Sequence, residues 1–304
     1  MIAHPRTRLP VLVAVALAFA VASVSCSGGA TAKSGGKVRV VTSAELFADF
    51  IRNVGGDRVQ VTALVPGHAD PHTYEPVPRR VEDVANADVV FINGVGLEET
   101  LMSLINNNVR KGVPVIEMAA GLPLIGGDAN EPAGNPHLWM DPQYAIHYVE
   151  QIRDGLIQVD PAGESTYQAN AAAYIQQLST LDSEIATEMA SIPRDRRKLV
   201  TFHDSFPYFA QRYGLQVVGV VVEAPGREPS AQEMARLEDK IRANDIRVVF
   251  KEPELNAQLL EMAAQDAGAK VMTLLNVAYT DNVHSYIDLM RFDAQQLVEG
   301  LGSS

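Results

Sequence analysis

From Glu164 to Ile192 the chain runs without a proline or a glycine. Within that stretch Tyr174, Leu178, Leu181, Ile185, Met189 and Ile192 recur at intervals of three and four. That spacing puts apolar side chains on one face of an α-helix. A helix of this length is a rigid strut, and the segments on either side show what it joins. Before it, strands are predicted at Val38–Val41, Val59–Val65, Asp88–Asn93 and Val113–Ile116, alternating with helices at Ala44–Val54, Arg80–Ala85 and Glu98–Asn106. After it, strands at Lys198–Thr201, Val217–Val222, Val248–Phe250 and Lys270–Thr273 alternate with helices at Ser205–Tyr213, Ser230–Ala243 and Ala257–Ala267. A last helix runs from Ser285 to Leu301. Strands that alternate with helices make parallel sheets. The fold class expected is therefore α/β, with two β/α lobes of mainly parallel sheet joined by a long rigid helix. The expected boundaries are 38–163 for the first lobe, 164–192 for the linking helix and 193–304 for the second lobe.

The first residues read as an export signal. Arg6 and Arg8 precede an apolar run from Leu9 to Val24 that is too short to span a membrane comfortably and closes on small residues. Cys26 is the only cysteine of the chain, so no internal disulfide can form. Its place at the end of the signal, residues 1–26, makes it the expected lipid-attachment site, with residues 27–37 as a flexible tether. Ser23 stands where bacterial lipoprotein signals usually carry Leu, Val or Ile, and a plain cleaved signal peptide is the competing reading. The formal net charge is −12 and no run of Lys or Arg exceeds Arg196-Arg197-Lys198, which argues against nucleic acid as a partner.

Three histidines stand in short polar segments after a strand or a turn. They are His72 in Asp70-Pro71-His72-Thr73-Tyr74-Glu75-Pro76, His137 in Asn135-Pro136-His137-Leu138-Trp139-Met140-Asp141-Pro142, and His203 in Thr201-Phe202-His203-Asp204-Ser205-Phe206. Neutral imidazole is the commonest protein ligand for zinc and related divalent ions. Each histidine alone reads as well as a surface or capping residue. Two matched Pro-His settings and a strand-end histidine together point to metal. In open α/β sheets ligands bind beyond the carboxyl ends of strands, so His72 and His203 can converge on a cleft between the lobes, with His137 near the junction.

These segments, with Phe202-His203-Asp204-Ser205-Phe206-Pro207-Tyr208-Phe209 and Ser285-Tyr286-Ile287-Asp288-Leu289-Met290, resemble the metal-binding lipoproteins of bacterial ABC importers for zinc and manganese. The resemblance covers nearly the whole chain after the signal. It implies extracytoplasmic capture of a divalent transition metal and delivery to an ABC permease in the membrane. The protein would then be a monomer, lipid-anchored on the outer face of the cytoplasmic membrane or periplasmic. It implies His72, His137 and His203 as metal ligands, and a fourth from an acidic residue of the second lobe. Gap-free alignment puts that residue near Val277, which cannot ligate, beside Asn276, a poor zinc ligand. Asp281 is the acidic residue within reach; a cap or solvated loop residue is its other reading, and water can also complete the shell. Histidine at 203 favours zinc first and manganese second.

Among the remaining residues, His68, His147 and His284 read as turn, helix and surface residues. Asp204 reads as a cap or a loop partner, and Glu75 and Asp141 as partners that orient imidazoles. A different function is a secreted metallohydrolase on a three-histidine zinc site, for which Glu252 and Glu254 are the nearest candidates for a base. No His-Glu-x-x-His pattern or nucleophile constellation supports it, and the protein is expected not to be an enzyme. A lipid-anchored adhesin is a third class, which no motif favours.

Overall fold

The computed structural model describes residues 1–3, 36–126, 134–222, 225–226, 228–280 and 282–302. Cys26, most of the expected tether, residues 127–133 and Asp281 lie outside the described residues. Ala32–Ser304 form one compact unit, which holds every helix and strand described.

Parallel strands build both halves. The first sheet contains β1 (Val38–Ala44), β2 (Val59–Val65), β3 (Val89–Ile92) and β4 (Val115–Glu117) in the order β2-β1-β3-β4. The second contains β5 (Lys198–His203), β6 (Gln216–Val222), β7 (Val248–Lys251) and β8 (Lys270–Thr273) in the order β6-β5-β7-β8. All pairings are parallel, so the two sheets repeat one topology. In each, the chain leaves the central pair in opposite directions. A crevice therefore opens at the carboxyl ends of β1 and β3, and of β5 and β7. β5 extends past its expected end at Thr201, because His203 still pairs with Val222 of β6.

Nine helices follow among the described residues. They are α1 (Glu45–Gly55), α2 (Arg80–Asn86), α3 (Glu99–Asn108), α4 (Pro142–Val159), α5 (Glu164–Ser191), α6 (Pro207–Tyr213), α7 (Ala231–Ala243), α8 (Gln258–Ala267) and α9 (Tyr286–Gly302). The long helix predicted from 164 is α5, 28 residues and so about 42 Å long. Its buried stripe contains Tyr174, Leu178, Leu181, Ile185 and Met189. It packs on α1 and α4 from one half and on α6 and α9 from the other. One apolar core runs through this contact: Phe47, Phe50, Trp139 and Tyr148 join Phe209, Tyr286 and Leu289 through the α5 stripe. Smaller cores lie elsewhere in each half, around Leu64, Val90 and Leu101 and around Val200, Val249 and Leu260.

Helix starts carry local signals. Asp141 caps α4 by accepting from Gln143 N at 2.8 Å, with Pro142 in the first turn. This corrects its expected role beside an imidazole. Ser230 and Glu233 form a reciprocal capping box on α7. Asp204 does not cap α6, whose N-cap is Phe206; its carbonyl instead accepts from Asn135 Nδ2 at 2.7 Å.

Candidate metal centre

Each of the three histidines is delivered by a differently built segment. His72 follows β2 in a loop that Asp70 organises: its carboxylate accepts from His72 N at 3.0 Å and from Thr73 Oγ1 at 3.1 Å. A short polar side chain bonding its own backbone two residues on is an Asx turn. The His137 segment is held from below by the residue that follows β3: Asn93 Nδ2 donates to the Pro136 carbonyl at 3.0 Å. His203 is the last residue of β5. The proline-linked loops and the strand end thus bring three residues far apart in sequence to one point.

There the three Nε2 atoms converge. His137 Nε2 lies 3.2 Å from His72 Nε2 and 3.1 Å from His203 Nε2, and the three ligand atoms all fall within 4.8 Å of one another. Tetrahedral zinc with Zn–N of about 2.0–2.1 Å separates neighbouring nitrogens by about 3.3 Å. Three lone pairs at this spacing repel unless a proton or a cation sits between them. His137 and His203 are buried, and His72 is half-buried.

The far side of two rings is tied down. His137 Nδ1–H donates to Asn135 Oδ1 at 2.9 Å, and the same oxygen accepts from His137 N at 3.0 Å. His203 Nδ1–H donates to Glu252 Oε2 at 2.7 Å, while Ser205 Oγ donates to Glu252 Oε1 at 2.5 Å. A proton held on Nδ1 leaves the Nε2 lone pair facing the centre. Glu252, a candidate base in the sequence, is buried against His203. The sheet register explains this: Thr201 pairs with Phe250, so two residues on, His203 stands abreast of Glu252. Neither imidazole relies on Glu75, which is exposed.

Charge around the centre is arranged by burial. Burial pushes the His72 imidazole down to about 4 and takes His137 well below its ordinary value, the latter helped by neighbouring His203. Burial also disfavours the charged form of His203, but the Glu252 carboxylate outweighs it and shifts His203 upward. Glu254 has both carboxylate oxygens out of solvent and without a hydrogen-bond partner. Burial, reinforced by the Glu252 charge, raises it to about 8. Among the other histidines, His68 and His284 are exposed, and His147 Nε2 reaches the Ala120 carbonyl at 3.0 Å. Val277, where alignment places an acidic ligand, is buried in the apolar core.

The model of the family described as ZnuA, zinc-uptake complex component A, periplasmic, matches residues 40–300. The chain belongs to the ZnuA family. It is 33% identical over 299 residues to the manganese-binding lipoprotein MntA of Halalkalibacterium halodurans, covering 95% of this chain and 97% of that one. It is 28% identical over 297 residues to the iron ABC transporter substrate-binding lipoprotein MtsA of Streptococcus pyogenes, covering 93% and 94%. The solved Mn-bound periplasmic metal binding protein from Candidatus Liberibacter asiaticus superposes with a TM-score of 0.79 at 28% identity, covering 87% of this chain and 99% of that one. These likenesses bear out the expected two-lobe α/β fold and the importer resemblance; nothing in them supports a hydrolase or an adhesin.

Glu252 was not recognised from the sequence as the partner of a ZnuA-family histidine. If His203 holds the divalent cargo, replacing Glu252 with alanine should lower metal affinity about 10–100-fold, the usual cost of losing a group that orients a metal-binding imidazole. Glu252→Gln, which keeps an acceptor, should lose less. Chelator-competition titration of the two variants checks this, and an unchanged alanine variant means that packing alone orients His203.

Proposed function

We propose that this chain captures a divalent transition metal on the Nε2 atoms of His72, His137 and His203 and delivers it to an ABC permease in the membrane. The observation that carries this reading is the convergence of three Nε2 lone pairs, that of His137 lying 3.1–3.2 Å from the other two, with the protons of His137 and His203 held on Nδ1 by Asn135 and Glu252. Capture fits better than catalysis. Glu252, a candidate base for hydrolysis, is engaged on one oxygen by His203 and on the other by Ser205. Zinc is the first cargo and manganese the second, because a three-nitrogen set binds zinc more tightly in the Irving–Williams order. Relatives named for manganese and iron show how widely cargo varies across such proteins. The protein works outside the cytoplasm as a monomer, held to the membrane by lipid on Cys26. Relatives are named lipoproteins, and among the described residues no helix is long and apolar enough to cross a membrane.

The test is competitive titration of the purified, metal-stripped protein with zinc and manganese, beside the His72→Ala, His137→Ala, His203→Ala triple variant. One-to-one binding with zinc ahead of manganese, lost in the triple variant, is the expected result. Equal binding by the triple variant removes the site, and manganese ahead of zinc reverses the cargo order.

A further inference from the structure

Three imidazoles leave one position of a tetrahedral shell to fill, and the described residues around it hold an unpartnered group. Asn276 is 2% exposed, and its Oδ1 is buried with no hydrogen-bond partner. Its Nδ2 lies 3.5 Å from His203 Nε2 and 3.4 Å from Glu252 Oε1, both long for hydrogen bonds. Leaving a buried amide oxygen unpaired is costly, and in a native protein it points to an absent partner. It is the Nδ2 side of this amide that faces the point on which the histidines converge.

The backbone at Asn276 is clamped from two sides. Its carbonyl accepts from Trp139 Nε1 at 2.7 Å, and the preceding Leu275 N donates to Asp293 Oδ1 at 2.8 Å. Trp139 is two residues beyond His137, so Asn276 is held in register with that imidazole. Rotation about the terminal torsion of an asparagine is soft. A turn there brings the oxygen to the side now facing His203, with no backbone movement.

Resting on the three-histidine reading above, we propose that the Asn276 amide oxygen is the fourth metal ligand. The cargo is then held by three imidazoles and a neutral oxygen, where the resemblance leads one to expect a carboxylate. The ligand shell carries no charge of its own. Glu252, acting through His203, supplies the nearest hydrogen-bonded negative charge. A shell of this kind favours nitrogen-seeking zinc over manganese, a harder ion that gains more from an anionic oxygen.

The experiment uses zinc affinity by chelator competition together with the visible absorption of bound Co²⁺, which reports coordination directly. Asn276→Ala should weaken zinc about 10-fold and change the Co²⁺ spectrum. Asn276→Asp should tighten manganese by a larger factor than zinc. Asp281→Ala should change neither quantity. An Asn276→Ala protein with unaltered affinity and spectrum, or a spectrum that responds to Asp281→Ala instead, overturns the proposal. Failure of the histidine reading looks different: the parent protein binds no metal, or the triple histidine variant binds as the parent does.

Discussion

Replacing His137 with alanine should lower zinc affinity by about 10²–10³-fold, and replacing His72 should lower it by less. A structural zinc site binds with about 10–16 kcal/mol in total. One ligand of four therefore accounts for about 3–4 kcal/mol, which is that factor in affinity. The inequality comes from position. His137 Nε2 is the atom within 3.2 Å of both other nitrogens, and its ring is 3% exposed. Removing it empties the middle of the set, beneath packed side chains. His72 is half-buried on a surface loop, so water reaches its place and recovers part of the loss. Titration of the two single variants against a common chelator makes the comparison. Equal losses mean that the site is uniformly accessible, and no loss in either means that the metal binds elsewhere.

The second large effect lies along α5, away from the metal. Asp182→Ala should destabilise the protein by about 3 kcal/mol, lowering its melting temperature by about 5 °C. The Asp182 carboxylate accepts from Gln143 Nε2 of α4 at 3.0 Å, from Tyr213 Oη of α6 at 2.9 Å, and from Arg212 Nε at 2.9 Å. It is thus the polar joint by which α5 grips one helix from each half. Burial alone raises its pKa, but the Arg212 hydrogen bonds lead a set of favourable contacts that hold it below the ordinary carboxylate range. A depressed carboxylate stabilises the fold above its unfolded pKa, and the contribution is lost as pH falls through the folded value. The gap between parent and variant should therefore be full at neutral pH and close in acid, below about pH 4. Thermal melts across that range give the answer; a gap that persists unchanged in acid means that the loss comes from packing and not from the ion pair.

Much of this architecture is legible in the chain because it rests on periodicity. The apolar stripe from Tyr174 to Met189 specifies α5, and β2 falls where Val59, Val61, Thr62 and Val65 lead up to the turn signal at Pro66-Gly67. The histidines stand out because proline and strand-end settings mark them locally. Glu252 and Asn276 stand in the sequence only as a candidate base and a poor ligand, because what makes them part of the site is contact between segments far apart in the chain. Only with β7 beside β5 does Glu252 meet His203. Asn276 reaches the centre only through the hydrogen bond from Trp139, 137 residues away in sequence. Asp141 misled for the opposite reason: its closeness to His137 in sequence suggested a partner, whereas the start of α4 had first use of its carboxylate.

The unbroken core between the halves also bears on how quickly cargo can come and go. Swinging the halves apart about α5 would expose Trp139, Tyr286 and their neighbours, which bond to one another across the divide through the Tyr286 hydroxyl and the Trp139 carbonyl. Each 100 Å² of apolar surface uncovered costs about 2.5 kcal/mol, so a wide hinge is rarely visited. The loop bearing His72 lies outside that core, so a shift of it uncovers less apolar surface. Loops of this kind rearrange in nanoseconds to microseconds, faster than the microseconds to milliseconds of domain hinges. The residence time of the metal is then expected to follow how long one imidazole stays in place, and not the opening of a cleft.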